Sequence, residues 1–224
     1  MCGIYITNLP LNEEKLKIKL DWISHRGPDF TGTFQQGDLS FGHTRLSIID
    51  LDSRSNQPMI HKEFILVFNG EIYNYQTIKA ELQELGETFF TQGDSEVLLV
   101  GYKRWGKALV PKLNGMFAFS IYDREKKEVF SARDRLGVKP FYYSWDKGVF
   151  EICSQIKPLA ENKTIDQEAI EIYLQTGYVP SPWSIYKEAK KLKPGFIMTM
   201  KLDSQDIEFE QYWELQTPQQ STLS

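Results

Sequence analysis

The sequence is poor in cysteine and histidine, and this scarcity excludes several classes of protein. Two cysteines, Cys2 and Cys153, cannot build a disulfide framework, so we expect the chain to work in a reducing cytoplasm. The three histidines, His25, His43 and His61, form no ligand-spaced cluster with the cysteines. No metal site is therefore predicted.

Long apolar runs and basic stripes are also missing. No segment approaches the roughly 18 consecutive apolar residues of a membrane-spanning helix, and the N-terminus does not resemble a secretion signal. The chain has 26 basic and 30 acidic residues, for a net charge of −4. Its one short basic run, KEAKKLK at 187–193, is typical of a solvated surface. We therefore expect no membrane and no nucleic acid as partner.

The sequence does contain enough apolar material for a sizeable core. Of its 224 residues 41% are hydrophobic, and 14 Phe, 11 Tyr and 5 Trp add aromatic bulk. This length suggests one large domain or one domain with an appendage. We place the domain at 2–213, and we interpret the polar segment 214–224 as a disordered tail or the start of a linker.

Apolar residues at helical spacing, bounded by capping residues, predict four helices. Asn12 and Asp166 are the expected N-caps of the first and last of these helices. The second, third and last helices are each expected to end at a glycine, namely Gly86, Gly106 and Gly177. The predicted ranges are 12–23, 74–86, 94–106 and 166–177.

Alternating and apolar runs joined by polar turns predict mostly antiparallel strands. A loop rich in Gly, Pro and Asp is expected at 25–32. Many strands with helices near both ends indicate an α+β fold in which helices cover two antiparallel sheets. The predicted strands are 3–7, 39–43, 64–69, a meander over 115–123, 128–134, 141–146 and 148–154, and a closing hairpin of 195–202 and 209–215.

The first three residues, Met1-Cys2-Gly3, raise the question of catalysis by an N-terminal thiol. If Met1 is removed, Cys2 carries both a nucleophilic thiol and a free α-amine. An α-amine with a pKa of about 7.7–8.0 can accept the thiol proton, so no histidine is needed. Gly3 would let a backbone or a substrate approach closely. In most sequences, however, a cysteine at position two has no catalytic meaning.

Acyl transfer also needs hydrogen-bond donors for an oxyanion, and the segment FILVFNGEIYNY at 64–75 offers a pair. The Asn69 side-chain amide and the Gly70 backbone N–H are suitable donors. An Asn-Gly dipeptide is also a common hairpin turn. Because a helical pattern follows rather than a partner strand, the turn interpretation is weakened.

An amino-acid substrate needs a cation for its carboxylate and an anion for its ammonium group. Arg45 precedes an apolar run, and Asp94 lies at the predicted start of a helix. Each has a simpler interpretation. Arg45 can be an ordinary surface residue, and Asp94 can be a helix N-cap.

Seven motifs in order resemble those of one family. They cover about 2–160 densely and continue loosely to about 214, and together they resemble the N-terminal glutaminase domain of glutamine-hydrolysing asparagine synthetases. These are class II glutamine amidotransferases, a group of N-terminal-nucleophile (Ntn) hydrolases. The motifs are MCGI at 1–4, HRGPD at 25–29, RLSIID at 45–50, NGEIYNY at 69–75, GDSEV at 93–97, NGMFAFSIYD at 114–123 and RDRLGVKPFYY at 133–143.

The resemblance implies an αββα four-layer Ntn-hydrolase fold and a set of site roles. It implies that the Cys2 thiol hydrolyses L-glutamine to glutamate and ammonia through a thioester, without a metal or cofactor. Asn69 and Gly70 would form the oxyanion hole, and Arg45 would bind the α-carboxylate. Glu71 and Asp94 would surround the α-amine. The pocket wall would include the backbone of Leu46, Ser47, Ile48 and Ile49.

In the family, ammonia passes to a C-terminal synthetase domain that uses ATP and magnesium to activate aspartate. No SGGxDS-type nucleotide loop occurs in these 224 residues, so ATP and Mg are expected only in that absent domain. The resemblance also allows a homodimer. The sequence leaves open whether the ammonia acceptor is aspartate or a sugar or sugar acid. The non-enzyme alternative is an interaction domain that has lost its catalytic activity. Gln155 departs from the family's usual glutamate.

Overall fold

The computed structural model describes residues 1–216, which contain four α-helices and twelve β-strands. The prediction for the polar tail falls mainly on 217–224, outside the described residues. No helix of the described part is long and apolar enough to cross a membrane. The elements are β1 (Gly3–Thr7), α1 (Glu13–Asp21), β2 (Phe30–Gln36), β3 (Leu39–Arg45), β4 (Met59–His61), β5 (Phe64–Ile72), α2 (Tyr75–Glu84), α3 (Asp94–Trp105), β6 (Gly115–Asp123), β7 (Glu128–Arg133), β8 (Tyr142–Asp146), β9 (Val149–Cys153), α4 (Gln167–Thr176), β10 (Ala189–Lys191), β11 (Phe196–Lys201) and β12 (Asp206–Gln211).

The strands form two six-stranded sheets, and every strand pair in them is antiparallel. The first sheet has the order β10-β8-β9-β1-β3-β2, and the second has the order β12-β11-β7-β6-β5-β4. Strand β1 therefore lies inside the first sheet, between β3 and β9. This position fixes the backbone immediately after Cys2.

Apolar side chains between the sheets form the central core, and two outer cores lie beneath the helices. Ile6, Phe41 and Val67 belong to the central core. Leu98 of α3 belongs to the core on the outer face of the second sheet, and Leu20 of α1 to that of the first. The layers follow the order helix, sheet, sheet, helix, which confirms the predicted α+β, αββα architecture.

The four predicted helices are confirmed; α3 begins at the predicted Asp94, and every other helix end is one or two residues shorter than expected. The Asn12 side chain accepts a hydrogen bond from the Lys15 N–H, and the Asp166 side chain accepts one from the Glu168 N–H. Gly86 and Gly177 follow α2 and α4 with φ of 88° and 79°. Such left-handed conformations are easily adopted by glycine and end a helix.

The strand predictions needed four corrections. The predicted loop 25–32 is wrong at both ends, because a 3₁₀ turn occupies 24–26 and β2 begins at Phe30. Strands β2, β4 and β10 were missed, since their sequences lack a clear apolar alternation. The predicted meander divides between the sheets, with β6 and β7 in one and β8 and β9 in the other. The closing hairpin is confirmed, but its second strand is Asp206–Gln211 rather than the predicted 209–215.

Candidate active site

A cleft of about 210 Å³ lies where the start of β1 meets the end of β5 and the first turn of α3. Both sheets and one helix thus contribute to it. Ser47 is the one proposed site residue that does not line it. The predicted residues that do are Cys2, Arg45, Leu46, Ile48, Ile49, Asn69, Gly70, Glu71 and Asp94.

The Cys2 thiol is held in the cleft by the backbone of Leu46. Its Sγ lies 3.5 Å from the Leu46 N–H nitrogen and 3.7 Å from the Leu46 carbonyl oxygen. Arg26 Nε donates a hydrogen bond of 2.9 Å to the Cys2 carbonyl oxygen. The backbone and side chain of Cys2 are therefore both fixed by residues distant in sequence.

Burial raises the pKa of the Cys2 thiol, and the Leu46 N–H offsets part of this effect. The thiol is thus largely protonated at neutral pH and needs a base before it can act as a nucleophile. Within the described residues, the hydrogen-bond partners of Sγ are backbone groups of Leu46, and no histidine is among them. The base that removes the thiol proton would have to be another group. An α-amine on Cys2 itself is the nearest candidate, because it would belong to the same residue.

Gly3 is required by packing within the sheet rather than by access to the cleft. A Cβ at this position would lie 2.6 Å from Thr44 Oγ1 and 3.0 Å from the Ile23 Cδ1 atom. The close approach predicted for Gly3 thus involves the side chains of Thr44 and Ile23. A larger residue there would force these two side chains to shift.

The HRGPD segment supports the wall of the cleft from behind. A Cβ on Gly27 would lie 2.3 Å from the Thr44 carbonyl carbon, so only glycine permits this contact. The Asp29 N–H donates to the Arg45 carbonyl at 3.0 Å, and Asp29 Oδ2 accepts from the Ser47 N–H at 2.7 Å. Ser47 therefore anchors the wall instead of lining it.

Arg45 is buried, so the alternative of an ordinary surface residue is wrong. Its Nη1 donates to the Asp52 carbonyl at 3.0 Å and to Asn56 Oδ1 at 2.7 Å. Its Nη2 donates to the Asp50 carbonyl. These three acceptors, all from the loop after β3, hold the guanidinium in one place beside the cleft.

Asn69 and Gly70 lie within β5, so the alternative of a hairpin turn is wrong. The neighbouring strand β4 pairs only with Phe64–Leu66, which leaves the later part of that edge of β5 without a strand. In an antiparallel ladder, alternate residues point their N–H and C=O groups to opposite edges. Since the Tyr73 N–H bonds to Asn114 on the β6 side, the Gly70 N–H points to the open edge.

Two donors belong to this part of β5, the Gly70 N–H at the open edge and the Asn69 side-chain amide, and both residues line the cleft. The N–H groups on either side of Gly70 are occupied, because the Phe68 N–H donates to Gln57 Oε1 and the Ile72 N–H donates to Asp94 Oδ2. No described side chain accepts from the Gly70 N–H. The Asn69 side chain is only 1% exposed, and its Nδ2 has no partner in the described structure. A buried amide donor without a partner is costly, which suggests that a ligand satisfies it.

Asp94 is the first residue of α3, and Gly93 occupies the cap position. The N-cap interpretation of Asp94 is therefore wrong, although its Oδ2 does accept a hydrogen bond of 3.0 Å from the Ile72 N–H. Burial raises the pKa of the Asp94 carboxyl to about 6, and the nearby Glu71 carboxylate also raises it. A cation placed between these two carboxylates would be stabilised.

Two basic residues at the site were not proposed from the sequence as site residues. Arg26 lies in the HRGPD motif and Lys139 in the RDRLGVKPFYY motif. The motifs therefore marked the two segments, but they did not mark these residues as part of the site. Lys139 is buried and lines the cleft, while its backbone N–H donates to Asp134 Oδ2 at 2.9 Å. Burial and the Arg26 charge lower the pKa of Lys139. Both residues make the surroundings of Cys2 electropositive.

The described residues contain no group of three or more His, Cys, Asp or Glu side chains arranged to hold a metal ion. The chemical groups of the cleft are instead a thiol, an unpaired amide, an edge N–H, a fixed guanidinium and two carboxylates. This set can bind a zwitterionic amino acid and present its side chain to the thiol.

Comparison with known proteins shows which family the sequence matches. A family model described as a glutamine amidotransferase domain matches residues 1–213. Glutamine-hydrolysing asparagine synthetase 1 of Bacillus subtilis is 39% identical over 207 residues, which are 90% of this chain and 32% of that protein. A protein of Methanocaldococcus jannaschii, provisionally named glutamine-hydrolysing asparagine synthetase 2, is 38% identical over 219 residues, covering 86% of this chain and 42% of the relative.

Among solved structures, the glutamine phosphoribosylpyrophosphate amidotransferase of Bacillus subtilis, complexed with ADP and GMP, shares the fold. The TM-score is 0.68 at 18% sequence identity, and the match covers 95% of this chain and 49% of that one. The chain thus spans less than half the length of each of these three proteins.

Proposed function

The chain belongs to the glutamine amidotransferase family, and from this premise we propose that its cleft hydrolyses the side-chain amide of L-glutamine to glutamate and ammonia. One observation carries the proposal most directly. The unpaired, buried Asn69 amide lines the same cleft as the Cys2 thiol, so an oxyanion donor and a nucleophile face one space. The family membership and the asparagine synthetase relatives support the same activity.

The proposed reaction uses Cys2 after removal of Met1. Its free α-amine takes the thiol proton, and the sulfur attacks the amide carbon of glutamine. The Asn69 amide and the Gly70 N–H donate to the oxygen as it becomes negatively charged. The protonated amine then gives its proton to the departing nitrogen, and ammonia leaves. Water hydrolyses the resulting thioester, which yields glutamate and restores the thiol.

The two ends of the amino acid are held by opposite charges. We assign the α-carboxylate to the Arg45 guanidinium and the α-ammonium to Asp94 with Glu71. Leu46, Ile48 and Ile49 form the wall between them. Because the 50–56 loop already holds Arg45 in place, little side-chain entropy is lost when glutamine binds.

Arg45→Ala and Asp94→Asn are each expected to raise KM for glutamine by about 10- to 100-fold, since a charge-assisted contact is worth roughly 1.5–3 kcal/mol. The Asp94→Asn variant is the cleaner of the two, because the asparagine Oδ1 can still accept from the Ile72 N–H. The measurement is steady-state glutamate release over a range of glutamine concentrations. A wild-type KM in either variant would remove that residue from the glutamine contacts.

Substrate truncation and pH provide the control for Asp94. Glutaramic acid lacks the α-ammonium group, so it should react equally with wild type and Asp94→Asn. Since the pKa of Asp94 is about 6 and the ionised form binds ammonium, KM of the wild type should rise as pH falls below that value. Asp94→Asn should lack this acidic limb. An unchanged limb in the variant would assign it to another group.

The acceptor of the ammonia is proposed from the relatives rather than from the cleft. Both relatives carry the name of glutamine-hydrolysing asparagine synthetases, one of them provisionally, and the chain covers only 42% and 32% of their lengths. We propose that ammonia from this domain is passed to an ATP-dependent synthetase domain for asparagine formation. The glutaminase step itself needs neither ATP nor magnesium in this scheme.

The proposal is tested on residues 2–224 with Met1 removed, which intact mass establishes. This protein should release glutamate and ammonia from glutamine without ATP, and it should form no asparagine from aspartate, glutamine and ATP–Mg²⁺. The rate can be low, because the partner domain is not in the assay. Complete absence of glutamate release from correctly processed protein would favour a retired interaction domain. ATP-dependent asparagine formation would show that a nucleotide site lies within these residues.

A further inference from the structure

Two buried side chains meet at the peptide groups on either side of Phe68, the residue directly before Asn69. Gln57 Oε1 accepts a hydrogen bond of 2.6 Å from the Phe68 N–H. His43 Nε2 lies 3.1 Å from the Phe68 carbonyl oxygen. Neither side chain lies on β5, so these two contacts fix the strand from outside at the point where the oxyanion donors begin.

The contacts replace a missing strand. Strand β4 begins at Met59, which pairs with Leu66, so the ladder stops there, while the N–H and C=O of Phe68 point to the same open edge. Phe68 is 2% exposed, and a buried backbone group without a partner costs about 1–3 kcal/mol. Gln57 and His43 provide the acceptor and the donor that a strand would otherwise supply.

The role of His43 follows from its position and its neutral state. It lies on β3 of the first sheet, is fully buried, and reaches across the central core to the second sheet. A carbonyl oxygen only accepts hydrogen bonds, so Nε2 must carry the proton. Burial lowers the pKa of His43 to about 4, and the ring is therefore neutral at physiological pH.

Gln57 connects the same peptide to the other binding elements. Its Nε2 donates to Ser95 Oγ at 3.2 Å, next to Asp94 at the start of α3. Its chain neighbour Asn56 accepts the hydrogen bond from Arg45. The strand that holds the oxyanion donors is thus tied to the residues assigned to both ends of glutamine.

We infer that His43 and Gln57 are positioning residues for the oxyanion hole, which hold the Phe68 carbonyl and N–H so that the Asn69 amide and the Gly70 N–H face the Cys2 thiol. This inference rests on the proposed glutaminase function. It assigns to a buried histidine a part in catalysis that involves no proton transfer and no contact with substrate.

The geometry predicts a specific kinetic effect. A misplacement of about 1 Å at a reacting group can cost roughly 10²-fold in rate. Loss of the His43 donor should therefore lower kcat by about 10- to 100-fold while KM stays within about twofold, because Arg45 and Asp94 are not moved directly. Partial unfolding also lowers the apparent kcat by reducing the active fraction, but it does not weaken one inhibitor more than another, so inhibitors are needed to separate the two causes.

The test compares His43→Met with His43→Gln in the processed chain, with His61→Met on β4 as the matched control. The glutamine amide nitrogen lies near the position of histidine Nε2, so His43→Gln should recover at least about half of the lost activation free energy. Gln57→Met is the second variant, and it should show the same fall in kcat whether or not His43→Met folds. Because the buried Phe68 N–H then lacks its partner, the melting temperature of Gln57→Met should fall by about 2–12 °C, and activity is measured well below the transition.

Two inhibitors separate positioning from general damage. Glutamate γ-semialdehyde adds to the thiol and places its oxygen in the oxyanion hole, whereas L-norvaline has no side-chain oxygen and uses only the end groups. Inhibition by the aldehyde should weaken by about 10-fold or more in His43→Met, and inhibition by norvaline by less than about twofold. Equal weakening of both, an unchanged kcat, or the same loss in His61→Met would overturn the inference alone. An inactive wild type would overturn the proposed function and the inference with it.

Discussion

Replacing Cys2 by alanine is expected to abolish glutamate release, with a loss of at least about 10⁴-fold in kcat, because no other group can form the thioester. Leu46, which holds the thiol, and Arg26, which holds the Cys2 carbonyl, contact backbone or sulfur and supply no nucleophile. The measurement is enzyme-coupled glutamate detection on protein whose N-terminus has been verified by mass. Glutamine should still bind to Cys2→Ala, since its end groups are held elsewhere.

The second cysteine provides the control for this prediction. Cys153 is fully buried in β9, and burial raises the pKa of its thiol to about 12. A glutamine-analogue electrophile such as diazo-oxo-norleucine should therefore add one label at Cys2 and none at Cys153. Cys153→Ala should keep glutaminase activity, with at most a modest loss of stability from the small cavity. Labelling of Cys153, or activity in Cys2→Ala, would disprove the assignment of the nucleophile.

The helices and the principal strands were predictable because their signals are local. Asn12, Asp166 and Gly177 act within one turn of the helix they cap, so a short window of sequence contains both partners. Strand β2 gave no such signal. Residues 30–36 are mainly polar and exposed, and they form a strand because β3 pairs with them along all seven residues. Tertiary pairing decides such a segment, and local preference does not.

The site residues were predictable as a set, while their environments were not. A lone arginine or an Asn-Gly pair suggests a surface residue or a turn when only neighbouring residues are considered. Arg45 is buried because a loop 5 to 11 residues later wraps around its guanidinium. Asn69 and Gly70 lie in a strand because β6, about 50 residues away, pairs with both.

His43, Gln57 and Lys139 could not be identified as site residues from local sequence. The His43 ring meets a carbonyl 25 residues away in the other sheet, and the sequence offers only an isolated histidine. Gln57 joins β5 to α3 across separations of 11 and 38 residues. Lys139 reaches the cleft because the chain crosses from β7 in one sheet to β8 in the other. The sequence predicted one continuous meander here and so gave no sign of this crossing.

The Asn69 side chain is expected to provide the largest catalytic contribution after the thiol. Removing one oxyanion donor typically costs about 10²–10³ in kcat. Asn69→Ala should show a loss of this size with KM within about threefold of wild type, because Arg45 and Asp94 still bind the substrate. The strand should be preserved, since the Asn69 backbone remains paired with Ala118. Stability can even rise, because the wild-type amide nitrogen is buried without a partner.

The matched variant is Asn69→Asp, which keeps the shape of the side chain and replaces the donor by an acceptor. Its carboxylate would repel the developing oxyanion, so its kcat should fall further than that of Asn69→Ala if the donor interpretation is correct. Were Asn69 only a packing residue, the isosteric aspartate would be the milder change and alanine the more harmful one. The order of the two variants in kcat, measured alongside glutamate γ-semialdehyde inhibition, therefore decides between an oxyanion donor and a structural asparagine. Inhibition by the aldehyde should weaken in the same order as kcat, because both report on the negatively charged oxygen.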